Sequence, residues 1–392
     1  MISISEAISI VKTHCKPLEE SITLPIEKSF GFRLFNDVYS LINMPPFRQS
    51  AMDGYALCLH ESLSYKLGGE IKAGDDERPI LKPGEAYRIF TGAAVPETAN
   101  AVMMQEKVSV NGNTITIDHA ILPETNIRPI AEQVKKGEIA LKKYTKLIPA
   151  GIGFLSSLGL TKVSVFKKPS VAIVTTGNEL IEGGQPLDYG KIYESNSKML
   201  CSVLNSLDFY DITTFKVQDN FNSTVEVLNT AISDHDLVII TGGISVGDYD
   251  FVGKALNELQ VEEHFYKVKQ KPGKPLFFGT KQNTSVFALP GNPAAALSCF
   301  YIYVYIALQI MMRNESIELP RTKAISTSKY VRKGDRPQFL KATYNEGKVS
   351  LLDGQASSMQ QTFALSNALV FVSEETTTID IGDSLETILL PV

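Results

Sequence analysis

The chain of 392 residues has no tryptophan, four cysteines and five histidines, and no excess of basic residues. Its cysteines, at Cys15, Cys58, Cys201 and Cys299, are too scattered for a CxxC pair, a zinc cluster or a disulfide framework, which points to a reducing, cytoplasmic setting. The histidines (His14, His60, His119, His235, His264) form neither an HExxH motif nor a close pair, so zinc-hydrolase chemistry is excluded. A formal charge of −5, from 38 Lys+Arg against 43 Asp+Glu, argues against bulk binding to nucleic acid or to an anionic membrane. The first residues carry neither a basic n-region nor a long apolar core, the marks of a secretory signal. Long hydrophobic runs are scarce as well. Only Ala294–Met312, broken by Ser298 and Gln309, comes near the roughly 20 apolar residues needed to span a bilayer. It opens with Asn292-Pro293, a favoured N-cap followed by a favoured first helical residue, and so reads as a buried helix.

What is present is ample apolar sequence, 44% of the chain, in a length that suits two to three domains of about 150 residues. Ser3 to Glu6 forms a capping-box pattern ahead of an apolar helical face of Ile4, Ala7, Ile8 and Val11. Residues 50–125 change to short β-type runs. The clearest is Val108–Val110, Asn111-Gly112, then Ile115–Ile117, a hairpin signal. Residues 145–160 are apolar and expected to be helical, which suggests a β-rich part inserted into a helical N-terminal unit.

From 169 to 313 strands and helices alternate. Strands are expected at Val171–Thr175, Thr213–Val217, Leu237–Ile240, Phe265–Val268 and Val286–Leu289; helices at Ser197–Leu207, Thr224–Ile232 and Phe251–Leu259, with a Ser223/Glu226 capping box on the second. Such alternation implies a mainly parallel sheet with helices on both faces. Residues 320–392 return to short strands, with Glu346-Gly347 as a turn, and read as a small all-β domain.

In the α/β region the unusual loops follow the carboxyl ends of strands, where open parallel sheets bind ligands: 175–179, 218–220, 241–250, 271–275 and 290–293. The Gly242-Gly-Ile-Ser-Val-Gly247 loop is either a turn that needs positive φ or an approach path for an anion to backbone N–H groups; it is no Walker A loop. Asp250 is either the N-cap of the helix after it or, with Asp219, Asp248 and Glu179, a source of hard oxygen ligands of the kind Mg²⁺ takes alongside phosphate oxygens. Lys267, Lys269, Lys271 and Lys274 fall within eight residues with no acid between them, and the last two are set in a stiff Pro-Gly-Lys-Pro turn. Fixed ammonium groups there suit an oxyanion or phosphate.

Ser50-Ala-Met-Asp-Gly-Tyr-Ala56, Thr91-Gly-Ala, Val102-Met-Met-Gln-Glu106, Thr176-Gly-Asn-Glu-Leu180, Gly242-Gly-Ile-Ser-Val-Gly247, Lys271-Pro-Gly-Lys-Pro275 and Leu289-Pro-Gly-Asn-Pro293 follow one another in an order that resembles the molybdopterin molybdenumtransferase family of bacterial MoeA type, itself similar to the C-terminal domain of gephyrin. The resemblance runs over essentially the whole chain. It implies a multidomain α/β protein: an elongated N-terminal dimerisation domain (1–45 and 125–168), an inserted β-rich domain (46–124), a central molybdopterin-binding α/β sandwich (169–313) and a C-terminal β domain (314–392). It implies a cytoplasmic homodimer whose active cleft uses both subunits. The implied activity cleaves adenylylated molybdopterin and inserts molybdenum from molybdate, releasing AMP with the help of Mg²⁺.

The residues so implied are Asp219 and Asp250 for the metal, and Asp53, Thr91, Asp219, Asp250, Lys271 and Lys274 for activity. Gly177, Glu179, Asn196, Gly242, Gly243, Ser245, Lys267, Pro275, Pro290, Gly291, Asn292, Arg336 and Ser357 are implied to bind substrate, with Ser245, Lys271, Lys274, Arg336 and Ser357 around molybdate. The chain departs from the family at Ala131-Glu132-Gln133, where Gly-Glu-Asp is usual, at Asn178 in place of Asp, and at Arg48-Gln49. The competing functions are a scaffold protein of gephyrin type and the adenylyltransferase that prepares the substrate; implied partners beyond the substrates are that adenylyltransferase and acceptor molybdoenzymes, in transient contact.

Overall fold

In a computed structural model, all residues are described except 245–250. The chain forms two compact units, Ser21–Val165 and a larger one made of Met1–Glu20 with Phe166–Val392.

The Ser21–Val165 unit is built on a six-stranded mixed sheet of β1 (Gly54–Leu57), β2 (Ser64–Ile71), β3 (Glu85–Ile89), β4 (Ala101–Met104), β5 (Val108–Asn111) and β6 (Thr114–Ile117), in the order β4-β1-β3-β2-β6-β5. Alternate residues serve opposite faces, as the two-residue period of a strand requires. Ala56, Ile71, Ile89 and Val102 form one core, and Tyr55, Leu57, Tyr65, Met103, Ile115 and Ile117 the other. The expected β5–β6 hairpin is present, but Asn111 pairs with Thr114, so the turn residues are Gly112 and Asn113, with Gly112 at φ +58°. A glycine at the first central position suits the tight hairpin turn.

The rest of this unit is not the helical body anticipated from sequence. Residues 21–45 carry short strands and one 3₁₀ turn at Ile26–Lys28, and the helix expected over 145–160 spans only Pro149–Ser157. Before Pro149 the backbone pairs across the unit instead, Leu147 N–H to the Phe32 carbonyl at 2.8 Å. Ile26, Leu34, Val134, Leu147, Leu155 and Val165 close a separate core there.

Met1–Glu20 was grouped by sequence with residues 125–168; in the structure it belongs to the larger unit. The helix α1 (Ile4–His14) has the anticipated capping box, Glu6 N–H to Ser3 Oγ at 3.2 Å and Ser3 N–H to Glu6 Oε2 at 2.8 Å. Its Ala7 and Val11 are fully buried in the main core.

That core lies on one face of a six-stranded sheet. In chain order come β7 (Val171–Thr176), α2 (Asn196–Ser206), β8 (Ile212–Val217), α3 (Phe221–Asp234), β9 (Leu237–Thr241), α4 (Phe251–Glu258), β10 (Glu262–Tyr266), β11 (Phe277–Lys281), β12 (Thr284–Leu289) and the long helix α5 (Pro293–Met311). The sheet order is β8-β7-β9-β12-β11-β10, with the first four strands parallel and β11 and β10 antiparallel. Val171, Ile173, Leu237, Ile239 and Phe287 face α1, α2 and α5, whereas Ala172, Val174, Val238, Ile240 and Val286 face α3 and α4. Burial on both faces explains why these strands read as unbroken apolar runs.

Four local expectations need correction. The strand placed at Phe265–Val268 ends at Tyr266, because Lys267 adopts φ +73°. Strand β11 was missed, since Phe277 follows directly on the Pro-rich loop. The Ser223/Glu226 box does not start α3; Asn220 caps it, accepting from Ser223 N–H at 3.1 Å. Asn292 occupies the N-cap position of α5 without capping it through its side chain. Helix α5 is long and apolar enough to cross a membrane, yet 83% of its most apolar window is buried in the protein. A five-residue π segment, Phe300–Val304, interrupts it.

The C-terminal part is all-β except for one short helix. Strands β13 (Arg321–Ser326), β14 (Gln338–Asn345), β15 (Lys348–Leu351), β16 (Ala368–Val372) and β17 (Ser384–Leu389) close a barrel in the order β13-β15-β14-β16-β17. Glu346 and Gly347, both at positive φ, make the anticipated turn between β14 and β15.

Candidate functional site

The loops after β7, β9 and β12 open into a cavity of about 360 Å³ at the carboxyl ends of the parallel strands, where Glu179, Asn196, Gly242, Pro275, Pro290, Gly291 and Asn292 come together as anticipated. A larger cavity of about 690 Å³ lies between α1 and the barrel, but several of its lining charges are engaged in ion pairs such as Lys12–Glu318 and Arg321–Glu386. The strand-end cavity is the better candidate because its polar groups are aimed inward. Asn196, buried at 9% exposure, donates through Nδ2 to Thr241 Oγ1 (2.6 Å) and to the Gly291 carbonyl (2.8 Å). Its Oδ1 has no partner among the described residues. A buried amide oxygen left without a bond is costly, so it marks a place for a donor from a ligand.

Gly242 is required by close approach as well as by its φ of +88°. A Cβ there would lie 2.3 Å from the Thr176 carbonyl oxygen. The glycine thus lets the β9 loop lie against the β7 loop, in which Gly177 is placed, and Gly243 continues it at φ +62°. Ser245, Asp248 and Asp250 lie outside the described residues.

Asp219 follows β8 and is half-buried. Its Oδ1 accepts from Thr176 Oγ1 (2.8 Å) and its Oδ2 from Asn178 N–H (3.2 Å), while Asp219 N–H donates to Asn178 Oδ1 (3.1 Å). Asn178 therefore ties the β7 loop to the β8 loop without adding a second negative charge beside Asp219. Among the described residues no group of three His, Cys, Asp or Glu side chains could hold a metal ion.

The four lysines do not form one basic cluster. Lys269 pairs with Glu374 of the barrel, an acid far away in sequence, and Lys267 Nζ sits 4.7 Å from the Tyr266 ring centroid. Lys271 and Lys274 remain, one half-buried and one exposed, on a loop closed by Val268 N–H to the Lys274 carbonyl (3.0 Å) and Lys267 N–H to the Leu276 carbonyl (3.0 Å). The loop rests on buried Gln270, whose Nε2 donates to the Gly273 carbonyl (3.0 Å) and whose Oε1 accepts from Tyr303 in the π segment. Burial holds the Tyr303 hydroxyl well above its ordinary value, so it stays a donor. A Cβ on Gly273 would stand 2.4 Å from Cys299 Sγ, which keeps that turn glycine-only.

The barrel reaches this loop directly. Lys271 N–H donates to the Pro337 carbonyl, Phe339 N–H to the Lys271 carbonyl, and Arg336 Nη1 to the Gln270 carbonyl, each at 2.9 Å. Ser357, also from the barrel, accepts from Asn292 Nδ2 at 3.0 Å. The backbone of the lysine loop and Arg336 are therefore neighbours, and Ser357 is joined to the cavity through Asn292. Tyr303 and Lys341, which holds the Ser357 loop, carried no sequence signal beyond being polar residues amid apolar ones, and Gln270 was hidden as a neutral residue within the lysine run.

In the other unit the structure pairs Asp53 with Thr91. Asp53 Oδ1 accepts from both Thr91 N–H (2.7 Å) and Thr91 Oγ1 (2.9 Å). The backbone bond first, then the hydroxyl, hold this carboxyl below its ordinary value. Arg48, one of the departures, is anchored on the Ala99 carbonyl (3.0 Å) and on Glu124 (3.1 Å). The cysteines offer no nucleophile: burial pushes Cys15 up to about 11 and Cys299 up to about 12.

Residues 2–159 match the MoeA N-terminal region (domain I and II), 172–309 a probable molybdopterin binding domain, and 323–390 the MoeA C-terminal region (domain IV). The molybdopterin molybdenumtransferase of Haemophilus influenzae is 34% identical over 359 residues, 89% of each chain. That of Staphylococcus aureus (strain Mu50) is 30% identical over 362 residues, 90% of this chain and 85% of the relative. Among solved structures, the molybdopterin biosynthesis MoeA protein of Pyrococcus horikoshii OT3 superposes with a TM-score of 0.82 at 28% identity, covering 99% of this chain and all of the other. With all three regions matched in order and one relative matched along nine-tenths of its length, the chain belongs to the molybdopterin molybdenumtransferase (MoeA) family.

Proposed function

We propose that this protein is a molybdenum insertase, which transfers molybdenum from molybdate to adenylylated molybdopterin and releases AMP. The observation that carries the reading is the meeting of two polar sets at the strand ends. Glycine-lined loops offer close backbone approach to a phosphate-bearing ligand, Asn196 holds the Gly291 loop in place, and the barrel brings Arg336 and Ser357 to the lysine loop and to Asn292. Positioning and charge neutralisation are what this reaction asks of a protein, and among the described residues the site has no nucleophile–base pair.

In this reading Lys271, Lys274, Arg336 and Ser357, with Ser245, surround molybdate, and Pro275 lines the substrate site. Gly177, Glu179, Asn196, Gly242, Gly243, Lys267, Pro290, Gly291 and Asn292 hold the adenylylated pterin. Among the described residues each oxygen of Asp219 accepts one hydrogen bond, so each has a further lone pair to offer, which fits a hard cation shared with phosphate oxygens. Mg²⁺ would therefore rest on Asp219 and Asp250, and when bound it supplies charge neutralisation at the pyrophosphate. Asp53 and Thr91 contribute to activity in a cytoplasmic homodimer whose cleft draws on both subunits, and acceptor molybdoenzymes take the product.

The test mixes purified protein, adenylylated molybdopterin, Mg²⁺ and molybdate, and follows AMP together with activation of a cofactor-free molybdoenzyme. AMP release and enzyme activation that both need molybdate support the reading. No AMP above background, or AMP without active cofactor, overturns it.

A further inference from the structure

Lys341 on β14 is 4% exposed and is counted among the buried charged residues of the chain. Its Nζ donates to three backbone carbonyls, those of Gly354 (2.8 Å), Ala356 (3.1 Å) and Met359 (3.1 Å). An ammonium has three N–H bonds, so all are used, and none goes to a carboxylate. The same loop is tied a second time, because Lys341 N–H donates to Gln355 Oε1 (2.9 Å) and Gln355 Nε2 returns a bond to the Lys341 carbonyl (2.8 Å). Ser357 sits inside this clamped stretch and meets Asn292 of the strand-end cavity.

Holding a loop does not require a charge, as the neutral Gln355 demonstrates beside it. Burying an ammonium without a counter-ion is costly, and desolvation does pull Lys341 below its ordinary value. A buried charge is also screened less than an exposed one, so its field reaches neighbouring groups more strongly. The carbonyl dipoles of residues 354, 356 and 359 turn toward it, which leaves the Ser357 side of the loop backed by a net positive centre.

We propose that Lys341 is a positioning residue of the oxyanion subsite: it clamps residues 354–359 so that Ser357 stays against Asn292, and its uncompensated charge favours an anion there. The inference rests on the insertase reading above and adds to it a residue that touches no substrate.

The test compares the full-length protein with Lys341→Met and Lys341→Arg. Two properties are read: amide hydrogen exchange at 354–359 without ligand, and separate titrations with molybdate and with adenylylated molybdopterin. Lys341→Met is expected to speed exchange at 354–359 and to weaken molybdate about tenfold, through loss of the nearby positive charge and of the held Ser357. Affinity for the adenylylated pterin should stay unchanged, and Lys341→Arg should recover most of the molybdate affinity. Unchanged exchange in Lys341→Met overturns the clamp. Faster exchange with unchanged molybdate affinity, or an equal loss for both ligands, overturns the subsite role. Should Lys341→Met not fold, Gln355→Leu loosens the same loop while keeping the ammonium. It should weaken molybdate only about threefold, and no weakening would count against the proposal. Wild-type protein that binds no molybdate refutes the insertase reading itself, and that is seen before any variant is made.

Discussion

Each of the two units presents an aspartate held by a threonine, and the two pairs are built differently. Among the described residues Asp53 takes its bonds from one residue, Thr91, and on one oxygen, Oδ1. Asp219 spreads its bonds over both oxygens and two partners, Thr176 and Asn178, which come from the loop of a neighbouring strand. The first arrangement also bridges two paired strands, since Asp53 precedes β1 and Thr91 follows β3 with Gly54 opposite Ile89, but it grips the carboxylate through one partner residue alone. The second makes the position of the carboxylate depend on the register of β7 against β8, which are paired along their whole length. If Asp219 takes the proposed metal role, it gains from that rigidity, since a misplacement of about 1 Å is expensive in such chemistry.

The largest effect should come from removing the second carboxylate. Asp219→Ala is expected to lower molybdate-dependent AMP release about 100-fold, near 2.7 kcal/mol, with little change in melting temperature. A loss below tenfold in a single-turnover assay would place the metal elsewhere. Next comes Lys271→Ala, which removes a positive charge from the lysine loop. It should weaken molybdate about tenfold and leave adenylylated molybdopterin untouched; equal affinities for wild type and variant would take Lys271 out of the subsite. Thr176→Val keeps the shape and deletes only the bond to Asp219. A fall in turnover of about five- to tenfold, near 1 to 1.4 kcal/mol, is expected, with substrate affinity retained.

The smallest effect belongs to the other pair. In Thr91→Ala the backbone donor to Asp53 persists and the hydroxyl donor is lost, so the Asp53 carboxyl should rise part of the way back toward its ordinary value of 3.8, as followed by NMR. The sign for stability follows from linkage. A carboxyl lowered on folding contributes above its unfolded value, and loses that contribution as pH falls through the lowered folded value. Wild type should therefore show the steeper loss of stability on acidification below about pH 4, and Thr91→Ala the shallower one. Identical acid profiles would show that the backbone bond alone sets the pair.

Much of the site was legible because loops after apolar strands have a known place in an open parallel sheet. Gly242, Pro290 and Asn292 fell where the strand ends implied, whereas Asn196, at the start of α2, was pointed to by the family resemblance alone. The lysine run was legible as charge and not as a cluster, since Glu374, which takes Lys269, is more than a hundred residues away along the chain. Asn292 shows the same limit. Its type and its neighbour Pro293 predict a helix cap, and the helix does begin there, but the side chain turns to Ser357 of the barrel. Local preference chose the element; a distant partner chose the use of the side chain.

The sequence by itself determined the alternation of strands and helices, the two-sided core, the hairpins at Gly112 and Gly347, and the family to which the motifs belong. Those features depend on short-range periodicity and on turn residues that few other side chains can replace. Only the tertiary structure decided that Met1–Glu20 packs with Phe166–Val392, that Gln270 and Tyr303 support the lysine loop, and that Lys341 backs Ser357. Such contacts join residues tens to hundreds of positions apart, and neither propensity nor spacing encodes which buried polar group will find which partner.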